Sequence, residues 1–134
     1  DCCIAMRGQR DFDDDDMKVQ LEGNAVVQIG KDLPPECCHG ESVGVMKFSG
    51  RGVSAIRRSL EEAVTELSAM QSLFTDALQR MMTEGQRVRA VDIGSLAWAD
   101  VDTPEDLKFT RENLHLFSLP KPGVERRQVV GGPA

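Results

Sequence analysis

"WADVDTPEDL", residues 98–107, sets four carboxylates around one proline within ten positions. The residues before it, "QRVRAVDIG" (86–94), alternate apolar and polar side chains as a strand does. A helix start follows. Thr103 is a natural N-cap, Pro104 suits the first helical position, and Asp106 at N3 completes an acidic form of the capping box. The helix is expected to run to about Leu116. A strand running into a helix is the building unit of an α/β sheet. Ligands of such sheets sit beyond the carboxyl ends of the strands. Asp100 and Asp102 fall at that point, while Glu105 and Asp106 need only complement the helix dipole. Asp100 and Asp102 alternate with Val101 and so project to one side of the chain. A pair of carboxylates there suits Mg²⁺, which keeps several waters and takes one or two carboxylates plus phosphate. A solvated acidic loop has the same spacing.

Upstream, "CCIAM" (2–6) is an apolar run suited to a buried strand, and "RGQRDFDDDD" (7–16) is a loop. "DMKVQLEGNAVVQIGK" (16–31) has the form of a hairpin, with Met17, Val19 and Leu21 alternating and Gly23-Asn24 as the turn. After a loop stiffened by Pro34-Pro35, "SVGVMKFS" (42–49) is a further strand. Val53, Ile56, Leu60, Ala63, Val64 and Leu67 recur at helical spacing and predict one core-facing stripe. Leu73, Phe74, Ala77, Leu78, Met81 and Met82 predict a second helix that stops at Gly85. The tail, 117–134, has Pro and Gly without periodicity, as a linker or disordered end does. The element order predicts an α/β fold with a mixed sheet and flanking helices over residues 1–116.

The chain has 134 residues, enough for one core, and a net charge of −6 that argues against nucleic acid or an anionic membrane as partner. No apolar run reaches membrane-spanning length. Cys2-Cys3 and Cys37-Cys38 are adjacent pairs without zinc spacing, which fits reduced thiols in a cytoplasmic protein. His39 and His115 are expected at the surface.

"WADVDTPEDLKFTREN" (98–113) resembles the C-terminal signature of nucleotidyltransferases of the MobA-like and sugar-phosphate or phosphocholine cytidylyltransferase type, W-x-E-I-D-T-x-E-D-L. "DMKV", "IGK", "GESVGVMKFS", "TDALQRMMTEG" and "VRAVDIG" precede it in the family's order, so the resemblance covers roughly residues 1–116. It implies a Rossmann-like α/β fold. It also implies Mg²⁺-dependent transfer of a nucleotidyl group from a nucleoside triphosphate to a phosphorylated small molecule, with pyrophosphate released. Choline phosphate, aminoethylphosphonate and sugar phosphates are all open as acceptors. By the same resemblance Asp102 matches a metal-binding Asp, and Asp100 stands where many relatives carry Glu. Lys31 matches a lysine at the edge of the site, and Asp16 and Glu41 match positions lining the acceptor pocket. The family's Gly-rich phosphate loop and its first metal-binding Asp have no counterpart here. The chain therefore reads as the C-terminal part of a larger nucleotidyltransferase, inactive alone, holding the acceptor side and one metal ligand. Such a part should expose strand edges and apolar surface. A non-catalytic domain binding a metabolite or protein is the alternative.

Overall fold

In a computed structural model, residues 1–65 and 74–117 are described. Leu67, Leu73 and the expected tail from 118 onward lie outside them. Five strands run β1 (Cys2–Gly8), β2 (Lys18–Glu22), β3 (Ala25–Gly30), β4 (Gly40–Phe48) and β5 (Val88–Asp92). Between β4 and β5 come helices α1 (Arg51–Thr65) and α2 (Phe74–Thr83), and α3 (Pro104–Glu112) follows β5. The sheet is mixed, as the element order predicts. β1 lies between β4, antiparallel, and β5, parallel, while β2 joins β3 and β4 antiparallel. Among the described strands the expected open edges are partly covered, β4 meeting β2 at two pairs and β5 meeting β3 at one. β3 meets β5 through Ala25 and Arg89, closing the strands into a ring in the order β1-β4-β2-β3-β5.

The ring interior is filled by alternate residues of the strands: Ile4, Met6, Val19, Leu21, Val26, Ile29 and Val88, with Leu78 and Met81 of α2 closing it from one side. Truncating Ile4 or Leu78 to Ala would cost about 2–5 kcal/mol, the usual range for a filled core site. Helix α1 departs from its hydrophobic pattern. Its buried residues are Gly52, Ser59 and Ala63, whereas Val53, Leu60 and Val64 are exposed, Val64 by 77%. The cause is close approach. A Cβ on Gly52 would collide with Cys2 Sγ, so the helix sits close to β1 there, and Ala55 and the expected Ile56 pack against the core beside it. Phe74 of α2 is also exposed, against expectation, while Ala77, Leu78 and Met81 are buried as expected.

Helix α3 begins as its sequence says, with Thr103 as N-cap and Asp106 completing a reciprocal capping box. It ends earlier than expected, at Glu112, and continues as a 3-10 turn over Leu114–Phe117. It buries no residue, and Leu107, Phe109, Leu114 and Leu116 are exposed. No helix among the described residues is long and apolar enough to cross a membrane.

Candidate functional site

Strands β1, β2 and β5 run one way and β3 and β4 the other, and their register sets Gly8 beside Gly40, Met6 beside Asp92, and Lys18 between Glu41 and Gly30, at one end of β1, β4 and β5. Two features fix this end. Asp92, last in β5, accepts hydrogen bonds from the backbone N–H of Gly8 (3.3 Å) and Gly94 (2.9 Å), tying the ends of the two parallel strands together. Gly40, first in β4, has no room for a side chain because a Cβ would strike Met6 and the Arg7 backbone. It thereby seats Glu41 directly opposite Arg7 of β1 and Lys18 of β2.

The five residues singled out by sequence gather in two neighbouring groups. Asp16 is held by Gln9 Nε2 (3.0 Å) and by the backbone N–H of Asp13 (2.9 Å). Glu41 faces it. Burial pushes the Glu41 carboxyl above its ordinary value, the charges of Asp16 and Asp100 and hydrogen bonding to Asp16 push it further, and Arg7 opposes them. Glu41, Asp16 and Asp100 therefore form one electrostatic group. Lys31, just past β3, donates to Asp15 at 2.8 Å. That hydrogen bond and charge raise the Lys31 ammonium above its usual range, with smaller help from Asp102 and Asp32. The same contact lowers Asp15.

The four acids of 98–107 thus divide. Asp106 accepts from Thr103 Oγ1 (2.7 Å) and from the backbone N–H of Thr103 (2.9 Å) and Asp102 (3.3 Å). Its carboxyl is lowered, chiefly by the Thr103 hydroxyl and then by the Thr103 amide. Glu105 lies in the first turn. Asp100 acts on Glu41 and Asp102 on Lys31, so the two residues address different partners across the site. Among the described residues no group of three or more His, Cys, Asp or Glu side chains converges enough to hold a metal ion. Mg²⁺ needs only one or two carboxylates when phosphate oxygens and waters complete its shell. The exposed Asp102 fits that smaller role, and the chain offers no preformed cage among the described residues.

A shallow pocket of about 380 Å³ opens here, lined by Phe12, Lys18, Lys31, Asp32 and Pro34 among others. A larger hollow of about 630 Å³ lies at the opposite end, between Cys2, Arg51, Arg58, Arg87 and Arg89. We take the smaller one as the candidate, since ligands of α/β sheets bind beyond strand carboxyl ends and Lys31 lines it just past β3. Three contacts had no clear signal in the sequence. Asp15 pairs with Lys31, Asp92 joins two strands, and Lys18 is buried on a strand whose alternation would turn it outward. His39 is exposed as expected, but its Nδ1 accepts from the Leu21 N–H at 3.2 Å. The four cysteines are free, with Cys2 and Cys38 buried.

No family model matches the chain. It is 33% identical over 98 residues to the bifunctional IPC transferase and DIPP synthase of Rubrobacter xylanophilus, a match covering 71% of this chain and 20% of that protein. The inositol-1-phosphate CTP transferase from T. maritima shares its fold with a TM-score of 0.61 at 23% identity, over 92% of this chain and 47% of the other. The chain spans about a fifth of the curated relative and about half of the solved one. In sequence it is related to nucleotidyltransferase-type proteins, and its α/β fold is the one on which a CTP transferase is built.

Proposed function

We propose that this chain forms the acceptor side of a nucleotidyltransferase. In this reading an acceptor phosphate oxygen attacks the α-phosphorus of a nucleoside triphosphate. The bond from that phosphorus to the β-phosphate oxygen breaks, and pyrophosphate leaves. The name of the T. maritima relative favours CTP as donor and an inositol phosphate as acceptor over the choline and sugar phosphates that the motif alone admits. The carrying observation is that residues far apart in sequence gather in two neighbouring groups, Lys31 with Asp102 and Glu41 with Asp16 and Asp100, with Lys18 between them opposite Glu41 and bonded to the Lys31 carbonyl.

Each residue has a task there. Lys31 leaves Asp15 and takes phosphate oxygen instead, exchanging one charge-assisted contact for another. Asp16 and Glu41 accept hydrogen bonds from acceptor hydroxyls, and Asp100 keeps that pocket negative. Asp102 supplies one carboxylate to Mg²⁺, which when bound offsets the charge of the phosphates. The test is release of pyrophosphate from CTP by the full-length protein, with inositol phosphate, choline phosphate and a sugar phosphate offered in turn. Pyrophosphate release that no acceptor raises above the no-acceptor control would overturn the reading.

A second reading is a non-catalytic domain that binds a metabolite or a protein partner, for which the shallow pocket beside Lys31 and Lys18 is enough. Saturable binding of the acceptor with no pyrophosphate release would decide for it.

A further inference from the structure

Lys18 carries a charge, yet it is only 5% exposed. Its Nζ donates to the backbone carbonyl of Lys31 at 2.6 Å, and among the described residues it forms no ion pair. Asp13, Asp14 and Asp32 line the same pocket and Glu41 stands opposite in the sheet, but none closes an ion pair with it, and apolar replacement of buried charges is often neutral or stabilising. Stability is therefore a poor reason for a lysine at this position. The partner is more informative. Lys31 follows the last residue of β3, and its side chain is the cation proposed to meet phosphate. A carbonyl held at 2.6 Å fixes the peptide plane and so the direction in which the Lys31 side chain leaves the strand. Lys18 also lines the same pocket as Lys31, beside Phe12 and Pro34, where the turn after β3 folds over it.

We infer that Lys18 is a positioning residue, orienting Lys31 toward substrate phosphate through the Lys31 carbonyl. The inference rests on the nucleotidyl-transfer reading. It assigns work at this site to a buried cation that acts through another residue.

The experiment is a double-mutant cycle in the full-length protein with Lys18→Met, Lys31→Ala and both together. Two quantities are read: kcat/KM for CTP and acceptor, and affinity for inorganic pyrophosphate by titration calorimetry. Lys18→Met should lower both by roughly tenfold, the loss expected when a charge-assisted contact is disturbed. It should leave the melting temperature unchanged or higher, and it should add nothing in the Lys31→Ala background. Lys18→Arg, which keeps a donor at this position, should recover part of the loss. If the two substitutions multiply, or if Lys18→Met lowers melting temperature without changing pyrophosphate affinity, Lys18 is only a structural tie and the inference fails. A wild-type protein that binds no pyrophosphate overturns it as well. A wild-type protein that binds pyrophosphate but turns over no acceptor overturns the nucleotidyl-transfer reading alone, because the titration still decides the coupling.

Discussion

The run Asp13–Asp16 and the stretch Asp100–Asp106 are both dense in carboxylates, but the fold uses them differently. In the run, the chain turns back so that Asp16 is fastened by Gln9 and the Asp13 amide while Asp15 reaches Lys31. In the later stretch, the best-bonded acid, Asp106, serves its own helix, and Asp100 and Asp102 stay exposed. By sequence, Asp13–Asp16 has the character of a solvated loop and Asp100–Asp106 that of a site. In the structure each holds acids bonded within their own segment and acids that face a residue from elsewhere. What distinguishes an acid at a site from an acid at a helix start is the group facing it across the sheet. Such partners are set by long-range pairing, not by local spacing.

The largest effect that tests this contrast is at Asp102. If it supplies one carboxylate to Mg²⁺, Asp102→Asn keeps shape and removes charge. It should lower kcat in the full-length protein by about a hundredfold or more, as loss of a preorganised transition-state contact does. The melting temperature should not change. Near-normal rate and Mg²⁺ dependence in this variant would return Asp102 to the helix entry. Lys31→Ala comes next. Loss of a charge-assisted phosphate contact should weaken substrate handling roughly ten- to a hundredfold. Asp15→Asn should act in the opposite sense, tightening pyrophosphate, because it removes the carboxylate that competes for Lys31. If calorimetry shows no gain, the Asp13–Asp16 run is the solvated loop its sequence suggests.

Much of the fold was legible in local pattern. The hairpin turn at Gly23–Asn24 and the Thr103 capping box are local chemistry, and both stand where the sequence puts them. Val53, Leu60 and Val64 misled because period alone says only that a face is apolar. The face of α1 that packs is chosen by Gly52 meeting Cys2, a contact between residues fifty positions apart. The same limit applies to the site. Asp16, Lys31, Glu41, Asp100 and Asp102 are candidates through motif order, whereas the contacts of Lys18 and Asp15 leave no mark in it because their partners come from another part of the chain. Closure of the sheet was equally hidden, since it depends on Ala25 meeting Arg89.

A smaller effect separates the cap from the chemistry. Thr103→Ala removes the side chain that accepts from the Asp106 amide at 3.1 Å and should cost about 1 kcal/mol of stability, the usual worth of an N-cap. The rate should be nearly unaffected. A large loss of kcat without loss of stability would mean that the helix entry and the site are not separable.

The smallest effect concerns Glu41, and its sign is set by proton linkage. The folded protein holds this carboxyl above its ordinary value of 4.5, first by burial and then by Asp16 and Asp100. Folding therefore favours the protonated form. The ionised form carries a penalty that is absent below the ordinary value, grows as pH rises through it, and is fully present above the raised folded value. Glu41→Gln removes that penalty and keeps a polar side chain. Its melting temperature should exceed that of wild type at neutral pH, and the gain should vanish once pH falls below about 4.5. Affinity for the acceptor should fall in the same variant, since a carboxylate that accepts from hydroxyls is lost. A residue that harms the fold while serving the ligand is what a binding site is expected to contain. Thermal melts across that pH range, with acceptor KM measured at neutral pH, check both halves. A gain in stability with unchanged KM would leave Glu41 as an unfavourable buried acid and take the acceptor pocket away from it.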